Sequence, residues 1–306
     1  MATITRGAIP RLLQEGVQNI YGTEIQDYDP IWSKLYRKLN STKAYEVAVQ
    51  LEGFGVANSK DEGDDISFDT RKQGFAPKYV HTAYAKGFVM SYEAMRDEQY
   101  SQFTEGARSM FRAMRITKEL QGAYLFNNAF TTVSTMPGGD GLAMCSTAHI
   151  NGPSSGSWSN RLAIDADFSE ASLEDMLKLI GRATDARGLP IALQATYLVG
   201  HTDQQFEFQR VLQSSLQNDT VNNAINAVKS MGAVAKGFVA SPYIGADTDA
   251  WFLLTDAPNG LKMYQRDEIM YGEDESFASL NMRYRAYERY SFGYDDPRGV
   301  FGTAGA

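Results

Sequence analysis

Cysteine is almost absent from this 306-residue chain: Cys145 stands alone, so no disulfide can form within a subunit, and a reducing compartment is expected. Histidine is scarce too. His81, His149 and His201 lie far apart, and no HExxH or CxxC spacing is present, which removes the common zinc sites. No apolar run approaches a membrane span, and the opening MATITRGAIPRLLQEG lacks the apolar stretch of a signal peptide. A soluble protein made in a cytoplasm, with no membrane partner, is expected. Basic charge is also short: 29 Lys and Arg stand against 37 Asp and Glu, a net charge of −8. That excludes a groove gripping nucleic acid by its phosphates, which needs clustered cations, but not a container around nucleic acid.

What the chain does have is length of element. Residues 91–130 carry no proline, and Phe103, Ala107, Met110, Phe111, Met114, Leu120 and Tyr124 recur at spacings of three and four, predicting one helix with an apolar stripe. Ser91 can cap it, while Gly106 and Gly122 weaken it. Forty residues would span about 60 Å, more than a compact domain of this size needs. Before it, residues 43–90 read as a long two-stranded hairpin. Tyr45, Val47, Val49 and Leu51 alternate with Glu46, Ala48, Gln50 and Glu52, and the return strand carries Val80, Thr82, Tyr84 and Phe88 on one side. The tip between them is glycine-rich and charged, with Lys60, Asp61, Glu62, Asp64, Asp65 and Lys72. A hairpin of that length is marginal alone and implies something to lie on.

Residues 1–42 read as an arm: a short amphipathic helix after Pro10, then Ile31, Trp32, Leu35 and Tyr36 as an apolar patch without a core of its own. After the long helix, residues 136–261 read as an α/β unit. Its expected helices are 169–188, capped by Ser169 or Ser172, and 202–215, burying Phe206, Val211 and Leu212; its expected strands are IALQATYLVG, GFVASPYI and DAWFLLTD. Residues 262–306 read as return strands, in which Met282, Tyr284 and Ala286 alternate with Arg283, Arg285 and Arg289.

Chemistry is hard to place on this frame. Cys145 and His149, with Asp140 and Asp165 nearby, could form a thiol hydrolase, but no helix N-terminus or strained turn is there to activate the thiol, and the pair reads as a buried thiol and a loop histidine. The acidic run 61–65 lacks the ligand spacing and closing Glu of a calcium loop, and PGGDG at 137–141 follows a helix where a phosphate loop precedes one. The arginine row of the last strand reads as intersubunit salt bridges, and the helix methionines as core. No catalytic, cofactor or metal residue is therefore assigned. The arm, hairpin and helix expose more surface than a monomer can satisfy, as a self-interlocking subunit does.

The order of these elements resembles the major capsid proteins of tailed bacteriophages. So do individual strings: GFVMSYEAMRDEQY where the hairpin enters the helix; CSTAHINGPSSGSWSNRLA at 145–163, similar to a STAHP…G…WSN…L stretch; residues 167–200; VASPYI with DAWFLLTD; and SLNMRYRAYERYSFGYDDPRGVF. The likeness runs over about 9–301. It implies an α+β fold with an N-terminal arm (1–42), an E-loop hairpin (43–90), a spine helix of a peripheral domain (91–135), an axial domain (136–261) and peripheral return strands (262–306). It further implies a structural protein and not an enzyme, with no cofactor. Such a chain assembles with itself as hexameric and pentameric capsomers of an icosahedral head, around double-stranded DNA that it does not bind specifically. Portal and scaffolding or decoration proteins are the implied partners, the virion the implied location and the host cytoplasm the place of assembly. Because the arm starts near Met1, the scaffold would be a separate protein or none. Some members are crosslinked through lysine and asparagine; Lys60, Lys72 and Asn281 would be the reactants here, and nothing in the spacing pairs them. An encapsulin-type shell around a cargo enzyme resembles the same fold and is the alternative. The charged face of the helix, with Arg108, Arg112 and Arg115, is expected to meet neighbours.

Overall fold

The computed structural model describes residues 28–96, 100–133, 139–151, 156–216, 224–276 and 279–306. The amphipathic helix expected after Pro10 lies outside them. Two four-stranded sheets organise the chain. In the first, strand Arg37–Asn40 runs parallel beside Leu261–Glu275, which pairs antiparallel with Met282–Tyr294, which pairs with the edge strand Thr82–Met90. In the second the order is Val300–Thr303, Trp251–Thr255, Ala195–Gly200 and Phe238–Ala240.

The expected helix over 91–130 is found as Tyr92–Arg96 and Tyr100–Asn127. The second has 28 residues, which at 1.5 Å each is about 42 Å. Its early stripe behaves as the spacing requires: Ala107, Met110, Phe111 and Met114 pack on Tyr284 and Ala286 of the first sheet. Leu120 and Tyr124, read as part of the stripe, are instead exposed. At 100° per residue they fall well off the line set by Met114, whereas Leu125 continues it and is buried. The two glycines have uses. Phe88 lies against Gly106, and at Gly122 a Cβ would collide with Trp32. Trp32 and Tyr36 dock there, and the Tyr36 hydroxyl donates to the Gly122 carbonyl at 2.6 Å.

Thus part of the expected arm is body. Helix Ile31–Leu35 buries Leu35 and sits on the long helix, and Glu119 accepts the amides of Ile31 (2.9 Å) and Trp32 (3.2 Å) together with the Tyr28 hydroxyl. A buried carboxylate at the positive end of a short helix satisfies amides that have no partner inside the helix.

The second sheet is buried on both faces, and one strand shows why its sequence is a run and not an alternation. In Trp251–Thr255, Trp251 and Leu253 point into a core shared with helices Glu170–Gly181, Gln205–Gln213 and Ala227–Met231. Phe252 and Leu254 point the other way, into a core shared with Ala123, Leu125 and Phe126 of the long helix and with Phe292. Helix Glu170–Gly181 begins at Ser169, which accepts the Ser172 amide while the Ser172 hydroxyl accepts the Ser169 amide, a reciprocal cap. Helix Gln205–Gln213 buries Phe208 and Leu212, four apart on one face. Phe206, expected inside, is two residues out of phase with Phe208 and 70% exposed.

The stretch 262–306, read as one set of return strands, is divided between the sheets. Leu261–Glu275 and Met282–Tyr294 form the centre of the first, but Val300–Thr303 pairs with Trp251–Thr255 at the edge of the second. Its residues are all buried and small enough at Gly302 for Phe252 to lie against the backbone.

Candidate assembly surfaces

The hairpin is the most exposed feature of the described chain. Tyr45–Val47 pairs with Lys78–Val80, and the ladder continues irregularly: the amides of Ala48, Gln50 and Glu52 donate to the carbonyls of Pro77, Phe75 and Lys72. The return strand does not simply extend this ladder, for from Thr82 onward it belongs to the first sheet. Alternation holds, but with the faces reversed from a strand that buries its apolar side. The polar set turns inward. Glu52 is buried, and the Gln50 side-chain amide donates to the Asp295 carbonyl. The apolar set turns out, with Tyr45, Val47, Val49 and Leu51 between 45% and 55% exposed. Farther toward the tip Phe54, Val56, Ile66 and Phe68 are exposed as well, Phe68 at 93%. An apolar row of this length on a surface marks a contact with another molecule.

Polar contacts fasten the hairpin to the body. The Tyr79 hydroxyl and the Lys262 ammonium both donate to the Asp295 carboxylate, a buried trio. Burial, and then the Asp295 charge, push the Tyr79 phenol up, so it stays a donor. Farther out, Arg187 holds Asp69 at 2.6 Å and the Thr70 carbonyl at 2.6 Å.

At the root, His81 joins the hairpin to its support. Its Nε2 meets the Ser41 hydroxyl at 3.1 Å and its Nδ1 the Ser291 hydroxyl at 2.9 Å, while Ser41 donates to Glu46 at 2.8 Å. Burial, and behind it the Arg289 guanidinium, hold the ring below the ordinary imidazole range, against the opposite pull of Glu46. The unfolded chain therefore takes up this proton first. Stability from His81 is present above the unfolded value of about 6.5 and is lost as pH falls through the lower folded value. Urea titrations between pH 7.5 and 5.5 should show the wild type losing stability relative to His81→Gln, and parallel curves would refute the assignment.

Of the helix arginines, Arg108 and Arg112 are exposed, but Arg115 lies over the Tyr28 ring at 4.1 Å and belongs to the chain's own packing. Arg283 and Arg285 are exposed on the first sheet, while Arg289 donates through Nε to the His81 carbonyl. The supposed thiol site is not assembled. Cys145 is 1% exposed and burial pushes its thiol up, away from the thiolate a nucleophile requires. His149 Nδ1 pairs with Asp140 at 2.5 Å and its ring stacks on Trp158 at 5.1 Å. Asp165 is held by Arg161 and Thr303. His201 caps the Asp203 amide. Lys60, hydrogen-bonded to the Asp61 carbonyl, and Asn281, whose carbonyl takes the Ser276 amide, stand on different hairpins. Among the described residues no group of three or more His, Cys, Asp or Glu could hold a metal ion, and no helix is long and apolar enough to cross a membrane.

A family model described as phage capsid protein matches residues 76–302. No curated protein matches the chain. Among solved structures, the capsid of a native GTA particle computed with C5 symmetry superposes with a TM-score of 0.57 at 10% identity, covering 91% of this chain and 92% of that one. The capsid of the cyanophage P-SCSP1u gives 0.55 at 10% identity, covering 91% and 88%. A virus-like particle from Pyrococcus furiosus gives 0.50 at 8% identity, covering 94% and 98%. At these identities the likeness is one of fold.

Proposed function

The chain belongs to the phage capsid protein family and has the fold of a tailed-phage major capsid protein, and from that premise we propose how it builds a shell. The hairpin 43–90 is the E-loop. The long helix with the first sheet is the peripheral domain. The second sheet with its helices, including Val300–Thr303, is the axial domain. Copies gather as hexamers and pentamers through their axial domains, and the hairpin of each lies across a neighbour. The observation that carries this is the outward apolar row from Tyr45 to Leu51 on a hairpin whose polar side is already bonded to its own subunit. A face left apolar by a chain with polar residues to spare is a face reserved for a copy.

Closure around symmetry axes covers every such face, and many weak contacts made together hold what none would hold alone. The net charge of −8 suits a wall that encloses double-stranded DNA without adhering to it. The role is structural, the location the virion, assembly takes place in the host cytoplasm, and portal and scaffolding or decoration proteins complete the head. The cargo-enzyme compartment is not favoured, since the matching family is that of phage capsids. Electron microscopy of the purified protein should show closed particles of one size class. A species that stays monomeric at every concentration and salt tried would overturn the proposal.

A further inference from the structure

Between the hairpin and the body lies a cleft of about 360 Å³ that the packing of the fold does not use. Five carboxylates line it. Four are engaged: Asp140 by His149, Asp185 by the amides of Arg187 and Leu189 at 2.8 Å, Asp295 by Lys262 and Tyr79, and Asp296 by Arg298 at 3.1 Å. The fifth is Glu52. It is 4% exposed, and its Oε1 has no hydrogen-bond partner. The two arginines of the lining do not supply one: Arg298 serves Asp296, Asn151 and Thr184, and Arg71 donates its Nε–H to the Glu52 carbonyl at 3.0 Å while leaning on Phe54.

A buried carboxylate oxygen without a donor is costly, and the strongest donors to it are charged. The five carboxylates outnumber the cations beside them, Arg71, Arg298 and the Lys262 that engages Asp295, so the field there favours a cation. The cleft is also continuous with the outward row, because Val49 and Leu51 belong both to that row and to the rim. We propose that this cleft is a binding site for an ammonium or guanidinium group, and that its occupant is a lysine or arginine side chain of a second copy of this chain, received by Glu52. The assignment rests on the shell reading, which brings a neighbour over that rim.

The site makes two demands that pull in opposite directions. In the free subunit Glu52 is a liability; in the shell it is half of a contact. Glu52→Gln should therefore raise or leave unchanged the thermal midpoint of the dissociated subunit, yet lower the yield of closed particles at a fixed protein concentration by about tenfold or more, the scale of losing one partner of a buried ion pair at an interface. A purely internal role would lower both together. An electron cryomicroscopy map of the wild-type shell should place a neighbour's lysine or arginine nitrogen about 3 Å from Glu52 Oε1. A map in which the chain's own Arg71 fills the cleft, or in which nothing reaches Glu52, overturns the inference, as do E52Q particles with undiminished yield. The map needs no variant, so an E52Q chain that misfolds leaves the question decidable. A wild-type chain that makes no particles overturns the shell reading as well; wild-type particles with an unengaged Glu52 overturn this inference alone.

Discussion

A chain with residues 55–74 replaced by a short glycine turn is expected to fold and to make no closed particles at all. Residues 56–73 are exposed throughout, and Arg187 of the body meets them at Asp69 and the Thr70 carbonyl. A partly exposed surface ion pair of this kind contributes about 0–1 kcal/mol, so the far-ultraviolet spectrum and the melting midpoint should hardly move. Assembly is another matter. Val56, Ile66 and Phe68 go with the tip, and with them the reach of the hairpin past its own body. Shell growth multiplies each contact over every subunit, so a modest loss per contact becomes failure to close. The check is electron microscopy beside circular dichroism on one preparation, and particles like those of the wild type would sink the idea.

The largest effect on the subunit itself is expected at Asp295. Its carboxylate accepts from both Lys262 and Tyr79, and its backbone carbonyl accepts from Gln50. Asp295→Ala leaves the Tyr79 phenol buried with no acceptor and the Lys262 ammonium with no counter-charge, held only by the Asn259 side-chain oxygen at 3.2 Å. Removing one partner of a buried pair costs about 3–5 kcal/mol, because the remaining charge is stranded. Urea unfolding should show a loss of that size, and a loss below about 1 kcal/mol would mean that water reaches Lys262 freely. Lys262→Met combined with Asp295→Leu should restore the part due to the stranded ammonium, since two apolar groups of similar volume need no partners, while the Tyr79 phenol still lacks its acceptor.

How much of this was legible in the residues varies with what each signal reports. The resemblance carried the fold class, and spacing carried the early stripe of the helix, because Ala107, Met110, Phe111 and Met114 all face one sheet. It failed at Leu120 and Tyr124, where an apolar residue off the stripe was counted as on it. It failed again at Phe206 for the same reason. Periodicity found the hairpin strand and could not say which face lies inward. The rule that apolar faces turn to the core presumes that the core is the chain's own, and at Tyr45 to Leu51 the body offers the Asp295 carbonyl to the polar face instead. The placing of Arg37–Asn40 in the first sheet and Val300–Thr303 in the second was out of reach altogether, since a four-residue strand carries too little pattern to name its partner. Glu52 was visible only as one member of an alternating pair; its burial depends on the cleft around it.

The order of strands in the first sheet sets a clock on synthesis. The edge strand Thr82–Met90 finds its partner only in Met282–Tyr294, and the contact of Arg289 with the His81 carbonyl spans 208 residues. At roughly 5–20 residues per second, the hairpin and its root leave the ribosome some tens of seconds before the strand that will fasten them exists. Until then the outward apolar row belongs to no rigid platform. Neighbouring nascent chains on one messenger thus carry their adhesive surface before they can present it in the geometry of a shell, and assembly waits for finished subunits.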